Sequence, residues 1–294
     1  MGRSMERAAM LAQGETDKDL LAVFDTLGTP EGATAAARLA KKAGATIVLG
    51  PVLSREVRPV LAVIGLQAPV ITFSNDMALI DSGAFVFGIT AQQSVTTILR
   101  FAASRGIRRI AIGGLDDSWG RQVRSAAMSI AREIGLESSE LPAGALPTAP
   151  LPDAVLMSDA PTLGRAGVAL KSAGVQLLGS CQGLDIPPEV LGVIEGAWLS
   201  SPDPVAFAGF ARTFEDRTGS APGLISGLAY DAVNIVKQLR LGGGVDRSAV
   251  LAGTNFKGVC GDVRFRDNGS IARALSVLAV TDGKLRTVAP GSLT

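Results

Sequence analysis

Residues 25–54 read DTLGTPEGATAAARLAKKAGATIVLGPVLS, and this stretch decides the fold class. Asp25 closes an apolar run at 20–24 (LLAVF), which predicts a strand. Thr29-Pro30-Glu31 then has the chemistry of a helix start. Threonine caps, proline suits the first helical position, and the acid sits by the positive end of the helix dipole. The Ala-rich helix stops at Ala43-Gly44. A second strand is predicted at 46–49, followed by Gly50-Pro51 and a further helix from about Ser54. Strand, helix, strand, helix is the rhythm of a parallel sheet covered by helices.

Working outward, the rhythm continues. Strands are predicted at 69–73 and 85–87, and the pattern restarts near 88–90. There follow a helix at 92–104, a strand at 109–112, a helix at 119–134 and a Pro- and Ala-rich connector at 141–152. Strand 154–157, helix 162–173, strand 175–178, strand 196–200 and helices 204–217 and 226–240 come next. The last helix carries Leu228, Ala229, Ala232, Val233, Val236 and Leu239 in one stripe at helical spacing. Only the end differs: 262–265, 275–280 and 284–288, split by Asp267-Asn268-Gly269 and Asp282-Gly283, predict antiparallel strands. The class is therefore α/β, with two sheets.

Composition narrows the function. The 294 residues hold 28 Lys+Arg against 27 Asp+Glu, a net charge of +1 that offers no long-range attraction to nucleic acid or an anionic membrane. The chain has no histidine, which excludes Ser-His-Asp and Cys-His nucleophiles and imidazole zinc sites. Cys181 and Cys260, 79 positions apart, form no CxxC pair; two separate thiols are expected rather than a disulfide. No dinucleotide or phosphate-loop glycine motif, calcium loop or GxSxG elbow is present, so an enzyme is disfavoured and no cofactor or metal is expected. No run reaches the roughly 18–20 apolar residues of a membrane span. The opening 19 residues hold only a five-residue apolar run, 8–12, too short for a signal-peptide core.

In α/β sheets ligands bind outside the carboxyl ends of the strands. Those ends carry Ser54, Ser74-Asn75-Asp76, Asp116 to Trp119, Ser158-Asp159 and Ser180-Cys181-Gln182. Singly, such residues cap helices and make turns. As a set they mark a polar cleft.

The segments at 25–54, 68–76 (APVITFSND), 116–120 (DDSWG), 228–233 (LAYDAV) and 258–270 (GVCGDVRFRDNGS) resemble type I periplasmic binding proteins. The resemblance is to the leucine/isoleucine/valine-binding branch and, within it, to members like the penicillin-binding-protein activators. It implies two doubly wound, Rossmann-like lobes joined by three crossovers, near 88–90, 200–202 and 259–261. Lobe one would be 1–89 plus 203–259, and lobe two 90–202 plus 260–294. The family's first strand should precede GRSMERAAMLA, so a longer biological chain is expected, with the export signal in that added segment. The implied location is periplasmic.

Carried over residue by residue, the family's ligand serine falls on Ser54. There a hydroxyl and helix-start N–H groups can hold a carboxylate. The next binding stretch falls on Ser74, Asn75 and Asp76, its threonine on Met77, and the facing aromatic on Trp119. The tyrosine and acid that grip an α-ammonium fall near Ala160 and on Cys181–Gln182, which leaves Asp159 as the nearest substitute. The implied partners are a small-molecule ligand and either an ABC permease or a cell-wall synthase, the latter for a docking protein that has lost its pocket.

Overall fold

Helix α2 (Pro30–Lys42) begins where the Thr29-Pro30 pair sets it: Thr29 Oγ1 accepts the Gly32 N–H at 3.0 Å. A computed structural model describes residues 1–14, 21–65, 67–170, 172–180, 184 and 186–293. Its contacts divide the chain into two units, Met1–Thr90 with Val205–Arg273, and Ala91–Pro204 with Ala274–Ser292. No described helix is long and apolar enough to cross a membrane.

The second unit holds a seven-stranded sheet. In chain order its strands are β4 (Arg109–Gly113), β5 (Glu137–Glu140), β6 (Ala154–Met157), β7 (Gln176–Gly179), β8 (Trp198–Ser201), β11 (Ser276–Thr281) and β12 (Lys284–Ala289). In space they run β12-β11-β8-β7-β6-β4-β5. Pairings from β5 through β8 are parallel, and β11 and β12 join antiparallel, as the turn residues predict. Side chains alternate between two cores, as a strand of period two requires. Ile110, Ile112 and Leu156 pack with α4 (Ala91–Ser104) and α5 (Ser118–Glu133). Ala111, Val155 and Met157 pack on the opposite face with α6 (Ala160–Leu170). This sheet is doubly wound. β5, with its sequence ESSE, falls where no strand is expected: it is a polar edge strand held only by β4.

The first unit carries a three-stranded parallel sheet in the order β1 (Val48–Leu49), β2 (Val70–Thr72), β3 (Phe85–Val86). On one face α2 and α3 (Ser54–Ile64) supply Ala33, Ala37, Val57, Val60 and Ile64 against Val70 and Val86. α1 (Gly2–Gln13) lies against α9 (Leu224–Leu241). Ser4 Oγ meets Ser226 Oγ at 2.7 Å, and Lys237 Nζ donates to the Ala12 and Gln13 carbonyls at the end of α1. A cation there suits the negative end of the helix dipole. The expected stripe on α9 is buried throughout.

Residues 260–273 fall in the first unit. There β9 (Val263–Phe265) and β10 (Ile271–Arg273) form an antiparallel hairpin. Gly269 turns it at φ 81°, where a Cβ would collide with the Ala84 carbonyl. The remaining helices are α7 (Pro188–Leu191) in the second unit, α8 (Pro204–Thr218), and α10 (Arg247–Ala252) in the first.

One expected strand does not form. Residues 21–24 are irregular with their side chains partly or fully exposed, and among the described residues no strand pairs with them; residue 20 lies outside the described residues.

A buried polar cluster ties the first unit together. Asp231, on α9, accepts the Val259 and Cys260 N–H groups, each at 2.8 Å. Arg273 donates to the Cys260 carbonyl (3.1 Å) and the Phe87 carbonyl (2.7 Å), with its guanidinium 4.7 Å from the Phe87 ring centroid. Burial pushes the Asp231 carboxyl up to about 6, against the two N–H donors and the Arg273 charge that pull it down.

Candidate functional site

In the first unit the expected groups lie at the carboxyl ends of β1 and β2. Ser54 is the first residue of α3, half-buried, and no side chain caps that helix start. The early N–H groups of α3 thus lack a side-chain acceptor, the arrangement that suits a carboxylate. Beyond β2 the chain is shaped by its own hydroxyls. Thr72 Oγ1 donates to the Pro51 carbonyl at 2.7 Å and accepts the Ser74 N–H at 3.1 Å. Buried Ser74 accepts the Asp76 N–H through Oγ, and Asp76 in turn accepts the Ala78 N–H at 3.0 Å, capping a 3-10 turn at Met77–Leu79. Asn75 is exposed between them. Ser74 and Asp76 therefore have local structural work, while Ser54 and Asn75 present unsatisfied polar groups at the strand ends.

In the second unit Trp119 lies in the first turn of α5, which Asp117 caps by accepting the Gly120 N–H at 2.7 Å. The indole N–H is shared between the Ser158 carbonyl and Ser180 Oγ, both at 3.1 Å, so the ring is fixed in its plane. Ser180 Oγ itself donates to the Ser158 carbonyl at 3.0 Å. Gly114, at φ 132°, lets the end of β4 approach this point, since a Cβ there would strike Ser158 Oγ. Ser158 and Ser180 follow directly after their strands; that position was the sequence signal for them, but their role in holding the indole is visible only in three dimensions.

Asp159 is heavily engaged. Its Oδ1 accepts the Thr162 N–H (2.8 Å); its Oδ2 accepts from Thr162 Oγ1 (2.6 Å), the Leu115 N–H (2.9 Å) and Ser158 Oγ (3.3 Å). Three of the four donors crowd Oδ2 and one occupies Oδ1, out of about four acceptor sites on a carboxylate. Asp159 serves as the cap of α6 and the staple of the β4–α5 loop, so its carboxylate is committed to holding its own unit together. Gln182 and Cys181 lie outside the described residues. Among the described residues no group of acids and cysteines could hold a metal ion.

The family model for periplasmic binding proteins matches residues 1–284. The chain belongs to that family. No curated protein matches it. Among solved structures it is similar to a putative branched-chain amino acid ABC transporter from Rhodospirillum rubrum, at 20% identity and a TM-score of 0.83, covering 98% of this chain and 95% of that one. The solute binding protein of an ABC transporter from Rhodopseudomonas palustris BisB5, in complex with 3,4-dihydroxy benzoic acid, is 18% identical with a TM-score of 0.71, covering 100% and 93%. The leucine-, isoleucine-, valine-, threonine-, and alanine-binding protein from Brucella ovis, in its closed conformation, is 18% identical with a TM-score of 0.73, covering 99% and 90%. These likenesses are of fold, and the fold is the type I arrangement that the resemblance implied.

Proposed function

We propose that this chain is an extracytoplasmic solute-binding protein of the branched-chain amino-acid receptor type, delivering a small carboxylic acid to an ABC permease. The residues proposed for the ligand are Ser54, Asn75, Asp76 and Trp119. Its carboxylate would accept from Ser54 and the open N–H groups of α3, and its body would lie against the fixed indole.

One observation carries the choice of ligand class: the Asp159 carboxylate is engaged by four donors of its own unit, three of them on Oδ2. A desolvated α-ammonium without a carboxylate partner is costly, so an acid lacking that ammonium fits these residues better than a free amino acid. The complex of the Rhodopseudomonas palustris relative with 3,4-dihydroxy benzoic acid supports the same class. The test is a thermal-shift screen of the protein against benzoates, aliphatic carboxylates, leucine and peptidoglycan fragments. At 100 times its dissociation constant, a ligand stabilises by about 2.7 kcal/mol, a rise of a few degrees in Tm. A shift with carboxylic acids and none with leucine is expected. A shift with leucine alone overturns the ligand class, and silence across the panel favours the cell-wall docking role.

A further inference from the structure

The tip of the β9–β10 hairpin reads Arg266-Asp267-Asn268-Gly269-Ser270. Asn268 is exposed there, and Gly269 follows it at φ 81°. Of the chain's four asparagines, Asn268 alone precedes a glycine; Asn75, Asn234 and Asn255 precede aspartate, isoleucine and phenylalanine. The main-chain nitrogen after an asparagine is a nucleophile within reach of the side-chain amide carbon. A glycine places no Cβ beside that nitrogen to obstruct the approach.

The turn holds the amide for this attack. Asn268 Oδ1 accepts the Ser270 N–H at 3.0 Å and the Ser270 hydroxyl at 2.7 Å. These two donors fix the side chain over its own backbone. They also sit on the oxygen that becomes negative when a nucleophile adds to Cγ, the arrangement that stabilises an oxyanion. One contact opposes the reaction: the Gly269 N–H donates to the Arg266 carbonyl at 2.9 Å and must be released first. That is a single bond at an exposed tip, where local opening costs little.

We propose that Asn268 is a site of spontaneous deamidation, with water as the co-reactant. Hydroxide removes the Gly269 amide proton, and the nitrogen forms a bond to Asn268 Cγ. The Cγ–Nδ2 bond breaks, and ammonia leaves with that electron pair and a proton from water. Water then adds to either carbonyl of the cyclic imide, leaving aspartate or isoaspartate in place of the asparagine. Both products add a negative charge next to Asp267. Isoaspartate also routes the main chain through Cβ, which lengthens the turn by one carbon. That turn anchors the hairpin to β3 and the residues before it. The Asn268 carbonyl accepts the Asp81 N–H and the Gly269 carbonyl accepts the Val86 N–H, each at 2.8 Å. The isoaspartate form therefore loosens the hairpin tip from β3, a change in the first unit that accumulates with time.

The test incubates the folded full chain and follows each asparagine by peptide mass spectrometry, with isoaspartate counted by enzymatic methylation from a labelled methyl donor. Asn268 should convert roughly ten-fold faster, or more, than the exposed Asn75 and Asn255, whose following residues carry side chains. Its rate should rise about ten-fold between about pH 7 and about pH 8, in step with hydroxide. Ser270→Ala, which removes the hydroxyl donor, should slow conversion several-fold while Tm changes little. In the isoaspartate form the Asp81 and Val86 amides should exchange hydrogen several-fold faster than in protein kept cold. Conversion at Asn268 no faster than at Asn75 overturns the proposal, as does a rate that ignores pH. A Ser270→Ala rate equal to the wild type's overturns the part given to the Ser270 hydroxyl, and unchanged exchange at Asp81 and Val86 overturns the loosening.

Discussion

The two units follow the same strand–helix rhythm but complete it to different degrees. In the second unit β6 has strands on both sides, and all four of its residues are buried. In the first unit β1 is two residues long, paired on one side, and half-exposed. Local sequence is comparable in the two places: TIVL at 46–49 is as apolar and β-branched as AVLM at 154–157. A strand's burial is thus set by its neighbours and only weakly by its own residues.

Paired truncations give the largest expected contrast. Leu156→Ala removes a fully buried side chain in a closed core and should cost about 2–5 kcal/mol in denaturant unfolding. Val48→Ala, at the open edge, should cost less than about 1 kcal/mol, because little packing is lost. Equal costs would mean the two sheets are equally complete.

The buried cluster of the first unit gives the next effect. Asp231 has a folded pKa of about 6, above its ordinary value of 3.8. Its contribution to stability is therefore full below about pH 3.8 and is lost as pH rises through 6. The whole swing is roughly 3 kcal/mol. Asp231→Asn should lower stability, since one amide oxygen cannot replace two carboxylate oxygens at the Val259 and Cys260 N–H groups. It should also flatten the pH dependence between pH 4 and 7. A variant whose stability varies with pH as the wild type's does would remove Asp231 from that role.

How much of this was legible follows from the same contrast. The Thr29-Pro30 start of α2 was readable because a cap acts within four residues. β6 was readable as a continuous apolar run between turns. β5 was not, since ESSE carries no hydrophobic signal and its strand state comes only from pairing with β4. The run at 21–24 was misread for the opposite reason: its residues favour a strand, but a ladder needs a partner. The candidates Ser54 and Trp119 come from strand-end position and the resemblance. The commitment of Asp159 to Leu115, 44 residues away, was beyond local reading, as was the buried work of Asp231 within the apolar stripe of α9.

The most direct measurement is a calorimetric titration of the best carboxylic acid from the screen into the wild type, Ser54→Ala and Trp119→Ala, one variant from each unit. Each substitution should weaken binding by ten-fold or more, about 1.4 kcal/mol, while Tm in the absence of ligand changes little for Ser54→Ala. Wild-type affinity in both variants would contradict the assignment of this site and, with it, the account of the chain as a carboxylate receptor.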